Sequence, residues 1–307
     1  MAVIRGLENV PPDFEQAAVS VGVFDGVHWG HRAIFQRLVE VARDNGIAPV
    51  ALTFDKHPAE LLVPEMAPSC ITTLDQRIEL IQDLGVERVI IAEFDLALAE
   101  LWHEEFLSNV ICGTLRARHL VVGSNFQFGK GRKGNIRYLT SAAPAMGLGV
   151  SVVSSVIVGG APVSSTRVRT LIARGDVADA SKLLGRRFAL RGVVVAGDRV
   201  GRSIGFPTAN LQTAPRQLVP ARGVYAVEVP VSGSAYSGLC YIGTRPTFGG
   251  EKLSIEVHLM GYKADLYGST LDVLFIRRLR DDMVFESPEK LAEQIRRDLG
   301  RVTGDAG

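Results

Sequence analysis

A chain of 307 residues, 47% of them hydrophobic and 22% charged, carries enough apolar side chains to bury large cores, and its length predicts two domains. Its 34 basic and 33 acidic side chains leave a formal charge of +1, which provides no bulk field for nucleic acid or an anionic membrane, so any anion site must be local. Cys70, Cys112 and Cys240 are too few and too scattered for a disulfide framework or a thiolate metal cluster, and no apolar run approaches the ~18 residues of a membrane span. The start of the chain has no secretory pattern, so the expectation is an unprocessed cytoplasmic protein with no membrane segment and no nucleic-acid partner.

From residue 17 to about 185, strand-like apolar runs (17–25, 47–55, 88–95, 119–126, 149–158) alternate with helical patterns. Ile34, Leu38 and Val41 recur at helical spacing before Gly46, and residues 72–85 repeat the pattern up to Gly85. That alternation predicts an α/β domain with a parallel sheet and right-handed crossovers. Beyond Gly185 the strand-like runs (188–198, 223–231, 236–244, 253–262, 270–279) follow one another without helices, as in a closed or nearly closed antiparallel barrel. Ser287 and Pro288 then open a final helix with Leu291, Ile295 and Leu299 on one stripe. The predicted domains are residues 1–185 and 186–307.

The first strand runs into VGVFDGVHWGHR, residues 21–32, which reads as strand, tight turn and helix. Ligands of open α/β sheets bind at the carboxyl ends of strands. Gly22, Gly26 and Gly30 let backbone approach a ligand, and the helix starting near His31 offers unpaired N–H groups and the positive end of its dipole. His28 and His31 would add two imidazole donors pointed at one phosphate cluster, the alternative being structural histidines that pack within the turn. Asp25 is placed to bond the turn backbone or to orient a histidine. A metal reading fails for want of further ligands, because His57, His103, His119 and His258 form no zinc pattern with this pair.

Three further pieces carry chemistry: LTFDKHP (52–58), a strand end with Asp55 and His57; VVGSNFQFGKGRKG (121–134), another with Asn125, Phe126 and Phe128; and SSTRVR (164–169), a helix start with three hydroxyls and two arginines. Aromatic rings suit a flat ligand, and Ser164, Ser165, Thr166 and Arg169 suit phosphates. GKGRKG matches G-x-G-x-x-G in form, but no suitable acidic residue follows ~20 positions on and no clear helix opens there, so it is not a dinucleotide fingerprint. In the second half, GRSIGFPTAN (201–210) ends in Thr208 and Asn210, oxygen-bearing side chains of the kind magnesium prefers. In SIEVHL the pleat puts Ile255, Val257 and Leu259 on one face and Glu256 and His258 on the other.

The signature GVFDGVHWGH resembles that of nucleotidyltransferases related to class I aminoacyl-tRNA synthetases. Together with FDKHP, GSNFQFGKGRKG, SSTRVR, GRSIGFPTANL, PARGVYAV, IGTRPTFGG, IEVHL, DLYG and LRDDMVF, the chain resembles the prokaryotic bifunctional riboflavin kinase/FAD synthetase family over about residues 20 to 300. The resemblance implies a Rossmann-like FMN adenylyltransferase domain followed by a riboflavin kinase barrel, with Mg²⁺ and ATP, acting on riboflavin, FMN and FAD as a monomer or weak homo-oligomer. It implies His28 and His31 as catalytic in the first domain, with Gly22, Phe24, Asp25, Gly26, Gly30, Asn125, Ser164, Ser165, Thr166 and Arg169 at ATP, and Phe54, His57, Phe126 and Phe128 at the flavin. In the second domain it implies Glu256 as base toward the ribityl hydroxyl, Gly201, Arg202, Gly205, Pro207, Thr208 and Asn210 at ATP, and Thr208 and Asn210 at Mg²⁺. The pattern departs at Lys56, Arg245 and Asp282, where the family commonly has Pro, Asn and Glu. Two alternatives remain at this point: one half being a non-catalytic flavin-binding module, and a cytidylyltransferase or other acceptor transferase sharing the histidine turn.

Overall fold

The structure, a computed structural model, describes residues 2–197, 205–247 and 250–303. The chain forms two compact units, one of Met1–Pro68 and Leu74–Ser165, the other of Ser69–Thr73 and Thr166–Gly307.

The first unit is built on a six-stranded sheet whose pairs are all parallel. Its strands are β1 (Ala2–Arg5), β2 (Ala17–Val21), β3 (Ala48–Phe54), β4 (Arg88–Ala92), β5 (Ala117–Gly123) and β8 (Gly149–Val153), in the order β1-β4-β3-β2-β5-β8. The chain steps from β2 to β3 and β4 on one side and then returns to place β5 on the other, so the switch point lies between the carboxyl ends of β2 and β5. Side chains alternate between two cores. Ala18, Ala51, Val89 and Val121 face α1 (Trp29–Asn45) and α3 (Leu74–Gln82) through Phe35, Leu38, Val41, Ile78 and Ile81. Val19, Val50, Leu52, Ile90 and Leu120 face Phe106, Leu107, Val110 and Ile111. Burial on both faces is why these strands read as continuous apolar runs, β3 being buried at every residue. Gly46 ends α1 in the left-handed conformation, φ 62°, with its N–H on Arg43 O.

Between these elements lie α2 (Pro58–Leu62), α4 (Leu96–Glu100), α5 (His103–Glu105) and the hairpin of β6 (Gln127–Phe128) with β7 (Gly134–Asn135). The GKGRKG stretch is the tip of that hairpin. No helix was expected there, but α6 (Ile136–Ala142) opens just beyond it because Asn135 Oδ1 accepts the Tyr138 N–H at 3.1 Å. A second hairpin, β9 (Ile157–Val158) with β10 (Ala161–Pro162), leads to α7 (Ser165–Arg174), and α8 (Val177–Leu184) ends at left-handed Gly185.

The second unit holds a closed barrel of β11 (Phe188–Val195), β12 (Ala209–Thr213), β13 (Gly223–Val231), β14 (Ser234–Thr247), β15 (Gly250–Leu259) and β16 (Thr270–Arg280), in the order β11-β12-β15-β14-β13-β16. Every pair is antiparallel. Five of these strands match the expected runs; the sixth, β12, starts in the GFPTANL motif and runs two residues past it. α9 (Pro288–Thr303) starts at Ser287, whose hydroxyl accepts the Lys290 N–H at 3.4 Å. Its Ile295, Leu299 and Val302 pack on Val224, Ala226, Leu239 and Leu279, and its fully buried Asp298 holds Arg280 of β16 at 2.8 Å.

Candidate active sites

In the first unit the turn after β2 holds three residues in the left-handed region: Phe24 (φ 49°), Gly26 (φ 82°) and Val27 (φ 39°). For Phe and β-branched Val this conformation costs about 1–3 kcal/mol each and persists only where surroundings enforce it. Here Phe24 and Val27 are buried, and Phe24 packs on Phe35 with ring centroids 4.6 Å apart. The turn delivers His28 as the cap residue of α1, without a side-chain capping bond, and His31 one helical step later. Their rings stack at 3.7 Å, 15° apart, and the Phe24 ring meets His31 edge-on at 5.4 Å. Gly22 and Gly30 make room for the chain's own rings: an added Cβ would stand 3.0 Å from Phe24 and 3.1 Å from His28. The Asp25 carbonyl accepts the Ser165 hydroxyl at 2.9 Å, which ties the turn to the first residue of α7.

The end of β3 is braced. Asp55 Oδ1 accepts the Phe94 N–H at 2.8 Å, and Lys56 lies 3.7 Å from the same carboxylate. His57 caps α2, its Nδ1 accepting the Ala59 N–H at 3.1 Å while Glu60 accepts the His57 N–H at 2.9 Å. Phe54 is 9% exposed and belongs to the core, edge-on to Phe94. Past β5, Phe126 is half-buried and stacks on buried Phe128 at 5.2 Å. Ser124, Asn125, Phe126, Gln127, Asn135 and Arg137 line an open cavity of about 350 Å³. Of the four residues expected at the flavin, Phe126 faces this cavity, Phe54 and Phe128 are core side chains, and His57 is a helix cap. Gln127 lies inside the GSNFQFGKGRKG motif but is not singled out by it, and no motif reaches Arg137, whose one signal is the neighbouring Asn135 cap. In the second unit Arg169 donates from Nε to Ser69 O at 2.9 Å. Ser164 and Ser165 are half-buried and Thr166 is exposed.

The barrel brings together its own set. Asn210 of β12 stands opposite Glu256 of β15 in the ladder. Glu256 is half-buried and accepts the Thr208 hydroxyl at 3.0 Å on one carboxylate oxygen and the Ser254 hydroxyl at 3.2 Å on the other. Ile255, Val257 and Leu259 are buried, so the pleat turns Glu256 and His258 away from the core as expected. His258 bonds Pro207 O at 2.8 Å; since a carbonyl only accepts, Nδ1 carries the proton. Phe206 is edge-on to His258, with the Arg296 guanidinium 5.9 Å from its ring. Gly205 is exposed at φ 87°, whereas Gly201 and Arg202 lie outside the described residues. Cys240 is buried on β14, and burial together with the Glu256 charge pushes its thiol well above the ordinary range, so it stays protonated and inert.

Among the described residues no cluster of three or more His, Cys, Asp and Glu side chains could hold a metal ion. The Thr208 hydroxyl just before β12, the Asn210 amide oxygen on β12 and the Glu256 carboxylate on β15 are nonetheless hard oxygen donors. Magnesium, which keeps most of its shell as water and substrate phosphate, fits so small a protein contribution.

A family model described as FAD synthetase matches residues 10–167, and one described as riboflavin kinase matches residues 184–304. A curated bifunctional riboflavin kinase/FMN adenylyltransferase of Escherichia coli (strain K12) is 39% identical over 300 residues, 97% of this chain and 96% of that protein. One of Bacillus subtilis (strain 168) is 34% identical over 287 residues, 92% of this chain and 90% of that protein. A crystal structure titled as a macrolide-efflux protein from Streptococcus pneumoniae superposes with a TM-score of 0.89 at 31% identity, covering 99% of each chain. No helix among the described residues is long and apolar enough to cross a membrane. With two family matches falling on the parallel-sheet part and the barrel part, and full-length relatives of the same composite kind, this chain belongs to the bifunctional riboflavin kinase/FMN adenylyltransferase family.

Proposed function

We infer that this chain phosphorylates riboflavin to FMN in its barrel part and adenylylates FMN to FAD in its parallel-sheet part, each step consuming ATP. The single observation that carries the reading is that two family matches, one for each activity, cover the two halves of a chain that a relative named for both activities matches over 97% of its length. We place the boundary between the two modules at Gly185.

In the kinase step Glu256 takes the proton of the ribityl 5′-hydroxyl as its oxygen attacks the γ-phosphorus of ATP and ADP departs. The Thr208 and Ser254 hydroxyls fix the plane of the carboxylate, leaving lone pairs for that proton. General base action of this kind contributes about 10²–10⁴-fold. Thr208 and Asn210 would hold Mg²⁺, which supplies charge neutralisation at the ATP phosphates. Gly201, Arg202, Gly205 and Pro207 are assigned to the ATP loop. In the adenylyl step an FMN phosphate oxygen attacks the α-phosphorus and the bond to pyrophosphate breaks; the attacking group is already anionic and needs no base. His28 and His31 donate to the polyphosphate beside the positive end of the 17-residue helix α1. Gly22, Phe24, Asp25, Gly26 and Gly30 shape that turn. Asn125 contacts nucleotide or phosphate, and Ser164, Ser165, Thr166 and Arg169 grip the departing pyrophosphate. Phe126, stacked on Phe128, offers a ring face to the flavin, and Phe54 and His57 are assigned to the same flavin site.

The enzyme acts on small molecules, without nucleic acid, as a monomer or weak homo-oligomer of the cytoplasm, a reading supported by its balanced charge and its three scattered cysteines. Incubation with riboflavin, ATP and Mg²⁺ followed by separation of the flavins tests it. FMN followed by FAD is expected; absence of both overturns it, and pyrophosphate release with CTP in place of ATP, or with a non-flavin phosphate in place of FMN, points to a cytidylyltransferase or other acceptor transferase.

A further inference from the structure

Arg77 of α3 belongs to none of the motifs, yet its side chain is almost completely buried, at 2% exposure. Its Nη1 donates to Phe54 O at 2.8 Å and to Thr53 Oγ1 at 3.1 Å. Thr53, fully buried, donates onward to Val23 O at 3.2 Å. The direction of this chain is fixed by chemistry: a guanidinium only donates, so Thr53 must accept from Arg77, and its one hydroxyl proton is left for Val23. The ladder bond from Gly22 N to Leu52 O precedes this contact, and Phe24, the first left-handed residue of the histidine turn, follows it. One guanidinium therefore holds the carboxyl ends of both β2 and β3, where the strained turn leaves the sheet. Burying such a group is unfavourable unless hydrogen bonds satisfy it, so its place is tightly determined.

We propose that Arg77 is a positioning residue of FMN adenylylation: through Thr53 it holds Val23 and thereby aims His28 and His31 at the polyphosphate. The proposal rests on the assignment of that step to the histidine turn. Both bonds leave Nη1, so lysine keeps the charge and enough N–H donors, but its side chain is one atom shorter than the path to Nη1 and its ammonium falls short of the two acceptors.

The test uses the full chain with Arg77→Lys, Thr53→Val and the double variant. Displacing a reacting arrangement by about 1 Å costs on the order of 10²-fold, so Arg77→Lys is expected to lower the adenylylation kcat about that much while the KM values for ATP and FMN stay within about twofold. Thr53→Val is expected to lower kcat about tenfold, and the double variant to be no slower than Arg77→Lys, because the same relay is already cut. The NMR resonances of the His28 and His31 rings should move in each variant, and riboflavin kinase activity in the same molecules should stay within twofold. Should Arg77→Lys fail to fold, Thr53→Val, which keeps the branched shape, decides. Wild-type kcat in Thr53→Val, strictly additive losses, or losses that merely track thermal stability would overturn the proposal. A wild-type protein that makes no FAD would overturn the functional reading instead.

Discussion

Gly197→Ala gives the sharpest access to the kinase site because its effect is set by a distance. An added Cβ at Gly197 would lie 2.1 Å from Asn210 Nδ2, 2.4 Å from its Cγ and 2.7 Å from its Oδ1. To reach ordinary van der Waals separation the amide must retreat by about 1.3 Å, and it is the free end of a side chain, so it swings away at little cost to the fold. Alanine also relieves the unfolded chain of some backbone entropy, worth about 0.4–1 kcal/mol. The variant is therefore expected to melt within a few degrees of wild type while its riboflavin kinase kcat falls on the order of 10²-fold, the usual effect of an ångström of misplacement. FMN adenylylation in the same molecules should be unchanged. Initial rates of FMN formation from riboflavin and Mg-ATP, with FMN-to-FAD conversion measured separately, provide the readout. Wild-type kinase rates in a stably folded variant would refute the role given to Asn210.

The double variant His28→Ala with His31→Ala should abolish FAD formation while FMN accumulates, seen directly by chromatography of the flavins. Glu256→Gln should do the reverse, lowering the kinase kcat about 10²–10⁴-fold and leaving FMN adenylylation intact; loss of both activities in either variant would contradict independent sites. Tyr225 is fully buried, its hydroxyl donates to Ala221 O at 2.5 Å, and burial raises its pKa to about 12, against about 10 in an unfolded chain. The folded state thus favours the neutral phenol, so this contribution is whole below pH ~10 and fades as pH climbs toward ~12. Tyr225→Phe should lose about 1 kcal/mol at neutral pH and melt with a flatter dependence above pH 10; equal slopes in circular-dichroism melts would count against it.

The parts of the fold that declared themselves were those where local and tertiary preferences agree. β3 is apolar at every position because both faces are covered, and Gly46, Gly185 and Ser287 mark helix ends by backbone freedom or a hydroxyl cap. β12 was not legible: Ala209–Thr213 lacks alternation and becomes a strand because closing the barrel pairs it with β11 and β15. Residues Phe106–Thr114 coil as a wide π-type helix ending with Leu115 N on Val110 O, which no spacing rule anticipates. In the site, His28, His31, Thr208, Asn210 and Glu256 were visible as motif residues, while composition did not separate core aromatics such as Phe54 and Phe128 from the cavity-facing Phe126. Arg77 was invisible for the opposite reason: an arginine on an amphipathic helix reads as a solvated face.

With the roles proposed for Asn210 and Glu256, their cross-strand pairing would make barrel assembly and kinase competence a single event. Strand side chains alternate, so a slip of one residue between β12 and β15 would carry Glu256 into the apolar interior and expose Ile255 and Val257. A misregistered barrel would bear an unpaired buried charge on the strand that carries the proposed base. The energetic cost of that buried charge disfavours the slipped register, so closing the barrel also sets the carboxylate on the side away from the core.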